Sequence, residues 1–261
     1  MFKKLALFNF LSVILTIAVN FFAQTGKIND TTIGEMSAKY ANLFTPAGYA
    51  FSIWGVIYLG LLALTGFMLH QAFTREKRTD FIKNTSGWLI SANLSSCVWV
   101  ATWLYDLPGI SVLFMFLILF SLCMVIIKNK MEIWDAPLAV IAFYWWPICF
   151  YSGWITVASI ANVAAWLTSL GWNGAIFSAQ QWTIIMIIIA TVINGLMIYY
   201  RNMREFALVG VWALVAIYSK HTDANPEIAY TALSAAFFLF IYVSYHGFKN
   251  RKTNPLSQLL K

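Results

Sequence analysis

Eight apolar runs constrain the fold of this chain more than any other feature of its sequence. A membrane-spanning helix needs about 20 consecutive, mostly apolar residues, and most of the runs reach that length. Pro108 and Gly109 separate the third run from the fourth, since neither residue continues a helix easily. We therefore predict an all-α, polytopic transmembrane bundle of about eight helices, with seven or nine as alternatives. The runs cover residues 4–24, 46–70, 87–107, 108–127, 137–168, 180–200, 205–219 and 226–247.

The composition excludes several classes of protein. The chain of 261 residues is 61% hydrophobic and 10% charged, whereas soluble domains are typically about 45–50% apolar and about 25% charged. A soluble globular protein, a disordered chain and a nucleic-acid binder are therefore excluded. The first partner to expect is the lipid bilayer itself.

The lysine and arginine residues predict the orientation of the bundle. All but three of the 17 cations fall into one set of connecting segments if the N-terminus is cytoplasmic; the exceptions are Lys27, Lys39 and Lys220. Basic residues in short loops stay on the cytoplasmic side. We therefore expect both termini to be cytoplasmic, an even number of helices, and a multi-pass protein of a bacterial inner membrane. The basic segments are 1–4, 71–86, 128–136, 201–204 and 248–261.

Ionisable residues are missing from the middle of every predicted span. Such residues usually mark ion paths and proton relays, so their absence argues against an ion-coupled transporter or pump. It also removes the usual acid–base pairs of catalysis. Cys97, Cys123 and Cys149 lie within predicted spans, where we interpret them as small packing residues rather than metal or redox groups. No metal site is predicted.

Aromatic side chains share one face on two of the predicted helices. In the second helix, Phe51, Trp54 and Tyr58 follow at i, i+3 and i+7, and Trp99 and Trp103 lie one turn apart in the third. Tryptophan is common at bilayer interfaces, but an indole N–H deeper in the membrane needs a partner inside the bundle. These faces predict an apolar cavity for a flat, partly polar ligand, with a plainly packed core as the alternative.

The fifth predicted helix adds further aromatic and polar side chains. Trp146 and Pro147 stand near its start, and the proline predicts a kink. Trp154, Asn162 and Trp166 follow along the same run. We expect Asn162 to donate or accept a hydrogen bond, either with the polar edge of a ligand or with a neighbouring helix.

Three strings of residues resemble the translocator protein / tryptophan-rich sensory protein family (TspO/MBR). The opening of the second helix is similar to the aromatic, proline-rich start of that helix in the family, through Pro46, Tyr49, Phe51, Trp54 and Tyr58. The fifth helix resembles the family's Tyr-x-x-Trp, Leu-Asn and closing Trp, through Tyr151, Trp154, Asn162 and Trp166. Asn93 and Trp99 are a looser match in the third helix.

The resemblance implies a five-helix bundle over residues 1–170, followed by a three-helix C-terminal extension over 171–261 that the ordinary family lacks. It further implies a binding or sensory protein for a tetrapyrrole of the porphyrin or haem type, with no covalent cofactor. A sterol is less expected, because the family's sterol-contact pattern is not found near Trp166. The expected ligand-binding residues are Pro46, Tyr49, Phe51, Trp54, Tyr58, Asn93, Trp99, Trp103, Trp146, Trp154, Asn162 and Trp166.

Several alternatives stay open. The chain is not expected to be an enzyme, although the resemblance also allows a weak, light-dependent breakdown of porphyrin. A transporter that moves a small apolar metabolite without ion coupling fits eight helices, and so does a structural membrane subunit. The resemblance allows a homodimer as well.

Overall fold

The computed structural model describes residues 1–74 and 80–250, and in this part of the chain the regular secondary structure is helical, apart from one isolated β-bridge between Ile28 and Thr31. A turn of 3₁₀-helix, Gly48–Ser52, leads into α3, and α6 contains one π-helical turn, Ile141–Trp145. The helices are α1 (Phe2–Gln24), α2 (Ile33–Lys39), α3 (Ile53–Thr74), α4 (Asp80–Leu104), α5 (Pro108–Lys128), α6 (Leu138–Ser169), α7 (Ala179–Arg201), α8 (Arg204–His221) and α9 (Pro226–Lys249).

The predicted all-α polytopic bundle is confirmed, and a long helix lies at each of the eight predicted runs. Six segments of the described chain are long and apolar enough to cross a membrane: α1, Gly48–Thr74 with α3, α5, α6, α7 and α9. The remaining two long helices, α4 and α8, are more polar and more enclosed. α4 packs between α1 and α5, and α8 packs against α6, α7 and α9, so both present less surface to lipid.

Five of the helices form a closed ring. Going around it, α1 packs on α4, α4 on α5, α5 on α6, α6 on α3, and α3 on α1. α8 packs on the outside of α6, and α7 and α9 pack on α8. The backbone N–H of Ala47 donates to the carbonyl of Ala216, so the entry to α3 is bonded directly to α8.

The π-helical turn in α6 lies just before Pro147, where the sequence predicts a kink. Proline lacks the N–H that would close an α-helical bond in the preceding turn, and a π-turn is a common way to absorb that loss. On the facing helix, a Cβ atom at Gly60 would lie 3.3 Å from Cβ of Pro147. Glycine at this position therefore lets α3 and α6 approach closely.

The turn between α7 and α8 is tight and packs against the rest of the bundle. Asn202 ends α7 with a positive φ of 57°, and Met203 after it is fully buried. Asn202 donates its side-chain N–H to the carbonyl of Glu132, and Arg201 donates to the carbonyl of Ile126, so the turn is held under the α5–α6 connection. This end of the bundle is the predicted cytoplasmic end.

The orientation itself stays a prediction. Six of the cations that support it lie outside the described residues, namely Arg75, Lys77, Arg78, Arg251, Lys252 and Lys261. The opposite end, which carries α2 and the connection from α6 to α7, is called the predicted outer end below.

Candidate ligand-binding pocket

An aromatic cavity of about 60 Å³ lies within the five-helix ring, near its predicted outer end. Side chains of α3, α4 and α6 form most of its wall, and α2 covers it. Seven of the twelve residues expected from the sequence line this cavity. They are Pro46, Phe51, Trp54, Trp99, Trp103, Trp154 and Asn162.

The aromatic rings around the cavity pack in pairs. Phe51 meets Trp154 edge to face, with ring centroids 5.7 Å apart. Trp99 and Trp103, one turn apart on α4, are stacked at 6.2 Å with their planes 13° apart. Both geometries are preferred arrangements of aromatic pairs. The rings therefore form a preorganised apolar wall.

Most polar groups around the cavity are already paired. The indole Nε1 of Trp99 donates to Oδ1 of Asn162 at 3.0 Å, and the Asn162 amide donates to Oγ of Ser111 at 2.9 Å. The indole of Trp103 donates to the carbonyl of Ile33 at 3.3 Å. Asn162 thus bonds neighbouring helices, which is one of the two roles expected from the sequence.

Two indole donors at the cavity are free within the described chain. Neither Trp54 nor Trp154 donates its N–H to another residue of 1–74 or 80–250. The ring of Trp154 is nevertheless only 2% exposed. An indole N–H that has no partner in the wall of a cavity can donate a hydrogen bond to an acceptor on a ligand bound there.

The short helix α2 closes the cavity at its predicted outer end. Thr32 and Glu35 cap its N-terminus reciprocally in a capping box. At its other end Lys39 forms an ion pair with Asp106, in the turn between α4 and α5, and the Tyr40 hydroxyl donates to the same carboxylate. The hydrogen bond from Lys39, followed by that from Tyr40, holds the pKa of Asp106 below its usual range.

Five of the expected residues do not line the cavity. Tyr58 stacks behind Trp54, on the side away from the cavity wall, and Tyr49 is exposed and contacts Trp212 of α8.

The other three expected residues lie elsewhere in the bundle. Asn93 is fully buried and donates to Oγ of Ser12 on α1. The other two are Trp146, half-buried near the π-turn, and Trp166, which packs on Gly109.

Sequence reasoning missed eight residues of the wall. Ala158, Ala161 and Ala165 repeat at i, i+3 and i+7 on α6, a spacing that is visible in the sequence but not distinctive. The capping-box pattern of α2 could have revealed the helix that contributes Ile33 and Ser37. The remaining three are Thr45, Met115 and Val157.

A second, wider cleft of about 940 Å³ lies between α5, α6 and α7. Its wall is mostly apolar, and Lys220 and His221 stand at one end. Lys220 donates to the carbonyl of Thr45 at 2.8 Å, and the ring Nε2 of His221 lies 2.8 Å from the carbonyl of Leu43. This cleft was not predicted from the sequence, because it depends on how α7 packs beside the five-helix ring.

The fold and the cavity together define a membrane-embedded helical bundle with an aromatic pocket inside a five-helix ring. The family model described as TSPO-like protein matches residues 6–245, so the chain belongs to that family and is an integral, multi-pass membrane protein. The match runs past residue 170 and through most of α9, so membership is not confined to the five-helix part. No curated protein and no solved structure matches the chain.

Proposed function

We propose that this protein binds a flat, apolar ligand with hydrogen-bond acceptors on its edge, held in the aromatic cavity of the five-helix ring. The resemblance to the tryptophan-rich sensory proteins favours a tetrapyrrole of the porphyrin or haem type. The observation that carries the proposal is the pair of unpartnered indole donors, Trp54 and Trp154, in a cavity where the other indoles are paired.

The chemistry of the cavity wall suits such a ligand. The rings of Phe51, Trp99 and Trp103 offer faces and edges for stacking, and the small side chains of α6 leave room beside them. Ligand sites are typically apolar, with a few well-placed polar groups that fix orientation. Trp54 and Trp154 would supply those groups.

A bound tetrapyrrole requires the pocket to open. The cavity of about 60 Å³ is smaller than the roughly 300–1,000 Å³ of typical ligand sites. The helix α2 is the wall best able to move, because it has only 7 residues and its end is held by the exposed contacts of Asp106. Displacement of α2 would join the cavity to the predicted outer face.

Titration with protoporphyrin IX tests this proposal. The purified protein in detergent is titrated while the porphyrin absorbance is followed, for wild type, Trp54→Phe and Trp154→Phe. Each substitution keeps an aromatic ring and removes the N–H donor. Since a hydrogen bond contributes about 1 kcal/mol net, each variant should bind about three- to tenfold more weakly.

Trp134→Phe is the matched control. This tryptophan is exposed and lies outside the walls of both the cavity and the second cleft, so its variant should bind like wild type. Equal affinity in all four proteins would overturn the assignment of the pocket. Illumination of the complex also tests light-dependent breakdown of porphyrin, for which we expect no loss of absorbance beyond that of free porphyrin.

Transport of an apolar metabolite without ion coupling is the second candidate function. The observation in its favour is the cleft of about 940 Å³, which falls within the size range of ligand sites. Val163→Trp would fill part of this cleft, whereas Val98→Trp would enlarge an exposed side chain elsewhere. In proteoliposomes, flux of an apolar fluorescent probe that falls only with Val163→Trp would support transport through the cleft. Absence of flux above empty liposomes would exclude it.

A further inference from the structure

A cluster of three potential metal ligands lies at the predicted cytoplasmic end of the bundle. Glu132 belongs to the α5–α6 connection, Cys149 to α6, and Glu205 to the first turn of α8. Their carboxylate oxygens and sulfur all lie within 4.8 Å of one another. The side chain of Cys149 is fully buried. Three separate segments therefore bring potential metal-ligand atoms to one point inside the protein.

The two carboxylates in this cluster are only partly satisfied. Oε1 of Glu132 and Oε2 of Glu205 are buried and have no hydrogen-bond partner among the described residues. The neighbouring Arg204 forms no ion pair with either carboxylate, and its Nε is also buried without a partner; the only ion pair of the described chain joins Lys39 to Asp106. Buried, unpaired carboxylates are costly, and such groups in proteins are usually paired or bound to a metal ion.

The ionisation of Glu132 reflects this environment. Burial, followed by the nearby charge of Glu205, raises the pKa of Glu132 to about 8, although Arg204 acts in the opposite direction.

Close packing holds the three segments together. A Cβ atom at Gly153 would lie 2.8 Å from the carbonyl oxygen of Phe206, so α8 begins in direct contact with α6 one turn from Cys149. The side chain of Asn202 donates to the carbonyl of Glu132, which fixes the α5–α6 connection over the same point. Precisely held ligands are what a rigid metal site requires.

We propose that Glu132, Cys149 and Glu205 bind one divalent transition-metal ion of the zinc class. A thiolate ligand favours such ions over magnesium and calcium, and three protein ligands leave a fourth position for water. At Zn–S of about 2.3 Å and Zn–O of about 2.0–2.2 Å, tetrahedral ligand atoms lie roughly 3.3–3.8 Å apart, so the side chains would move inward by about 1 Å or less.

The charges balance in the metal-bound form. Binding displaces the proton of the Cys149 thiol to solvent, together with any proton held by the carboxylates, because metal ligands must be deprotonated. The three anionic ligands are then offset by the divalent ion and by the guanidinium of Arg204. The ion would join α8 and the α5–α6 connection to α6, a stabilising role that does not depend on the aromatic pocket.

Cobalt(II) is the probe that tests the site, because a cobalt–thiolate bond gives a charge-transfer band in the near ultraviolet. The full-length protein in detergent is stripped with chelator, dialysed, and titrated with Co²⁺, then with Zn²⁺ in competition. We expect one Co²⁺ per chain, a thiolate band, and its loss when Zn²⁺ is added. Absence of the band in wild type would overturn the proposal.

Variants of the cysteines separate this site from non-specific binding. Cys149→Ser should abolish the band, whereas Cys97→Ser and Cys123→Ser should leave it unchanged. A band that survives Cys149→Ser would also overturn the proposal. If Cys149→Ser does not fold, Glu205→Gln decides the question, because loss of one anionic ligand should weaken Co²⁺ binding at least tenfold and unchanged affinity would contradict the site. Protoporphyrin binding should be unaffected by these variants, so this test is independent of the proposed function.

Discussion

At the scale of single residues, Asn162 shows how one amide connects three helices of the ring. Its amide accepts from the indole of Trp99 on α4 and donates to Ser111 on α5. Ser111 has a second partner in the carbonyl of Pro108, whereas Trp99 has no other. Loss of the amide would therefore leave mainly the indole of Trp99 unpaired.

We expect Asn162→Leu to lower the free energy of unfolding by about 1 kcal/mol, because hydrogen bonds between membrane helices contribute roughly 0.6–1.7 kcal/mol. Denaturation in mixed detergent micelles, followed by circular dichroism, measures this change. Asn84→Leu is the matched control, since Asn84 forms no hydrogen bond with the rest of the described chain. Equal stability of Asn162→Leu and wild type would show that the pair contributes nothing.

Residue periodicity predicted part of the site but could not predict hydrogen-bond partners. The spacing of Trp99 and Trp103 places both on one face of α4, and both line the cavity. Asn93 was also predicted to bind the ligand, yet its side chain donates to Ser12 of α1 instead. The rotation of α4 about its own axis decides which side chains face the cavity, and the sequence does not specify that rotation. Glu132 and Glu205 are far apart in the sequence, and only the folded chain brings them together.

At the scale of elements, the contact between α6 and α8 depends on a glycine. A Cβ atom at Gly153 would lie 2.8 Å from a backbone oxygen of Phe206, which cannot move aside without shifting α8. We expect Gly153→Ala to destabilise the protein by about 1–3 kcal/mol, as overpacking in protein interiors does. Thermal unfolding in detergent measures the effect.

Gly55→Ala provides the control for that substitution. A Cβ atom at Gly55, also within a long helix, would meet nothing within 4 Å. Alanine there should be neutral or stabilising by up to about 1 kcal/mol, because it favours the helix and clashes with nothing. A Gly153→Ala protein as stable as Gly55→Ala would contradict the close contact.

The attachment of α2 predicts how fast the pocket opens. Asp106 has a positive φ of 63°, which asparagine tolerates well, so Asp106→Asn removes the charge while keeping the backbone. The ion pair with Lys39 would be lost. We expect severalfold faster association of protoporphyrin IX, measured by stopped-flow absorbance, and an unchanged rate would show that α2 does not control entry.

The ion pair between Lys39 and Asp106 also predicts how the association rate of protoporphyrin IX depends on pH. The pKa of Asp106 in the folded protein is lowered, so its stabilising contact is complete above the ordinary aspartate pKa of about 3.9 and is lost as the pH falls through the lower folded value. Between pH 8 and pH 5 the ratio of the Asp106→Asn and wild-type association rates should stay constant. The ratio should approach one only below about pH 4. If the ratio of the two association rates already falls near pH 6, a group other than Asp106 holds α2 in place.

At the scale of the whole molecule, the five-helix ring and the three C-terminal helices are packed as one body. The entry to α3 bonds the carbonyl of Ala216, and the indole of Trp212 donates to the carbonyl of Ala50. We expect a chain ending at residue 170 to lose the monodisperse peak of the full-length protein in size-exclusion chromatography. Co-expression of 171–261 should restore that peak, and a stable, monodisperse 1–170 would show that the ring folds alone.

Hydropathy predicted the overall fold well and its irregular parts poorly. The predicted run 108–127 corresponds to the helix Pro108–Lys128, and the predicted run 226–247 corresponds to the helix Pro226–Lys249. Both agree closely because a helix that is exposed to lipid needs a continuous apolar sequence. α2 was missed because it is short and partly polar. α4 begins earlier than predicted, at Asp80, because its polar first turns are not required to meet lipid.

The tightly packed turn between α7 and α8 has a consequence for the reach of α8. With 18 residues and a rise of about 1.5 Å per residue, α8 measures about 27 Å, and it is the shortest of the eight long helices in the described chain. That is slightly less than the roughly 30 Å hydrocarbon core of a bilayer, so α8 is the long helix that matches the full thickness of the membrane least closely. Its length therefore favours a position behind neighbouring helices rather than one in contact with lipid along its whole course.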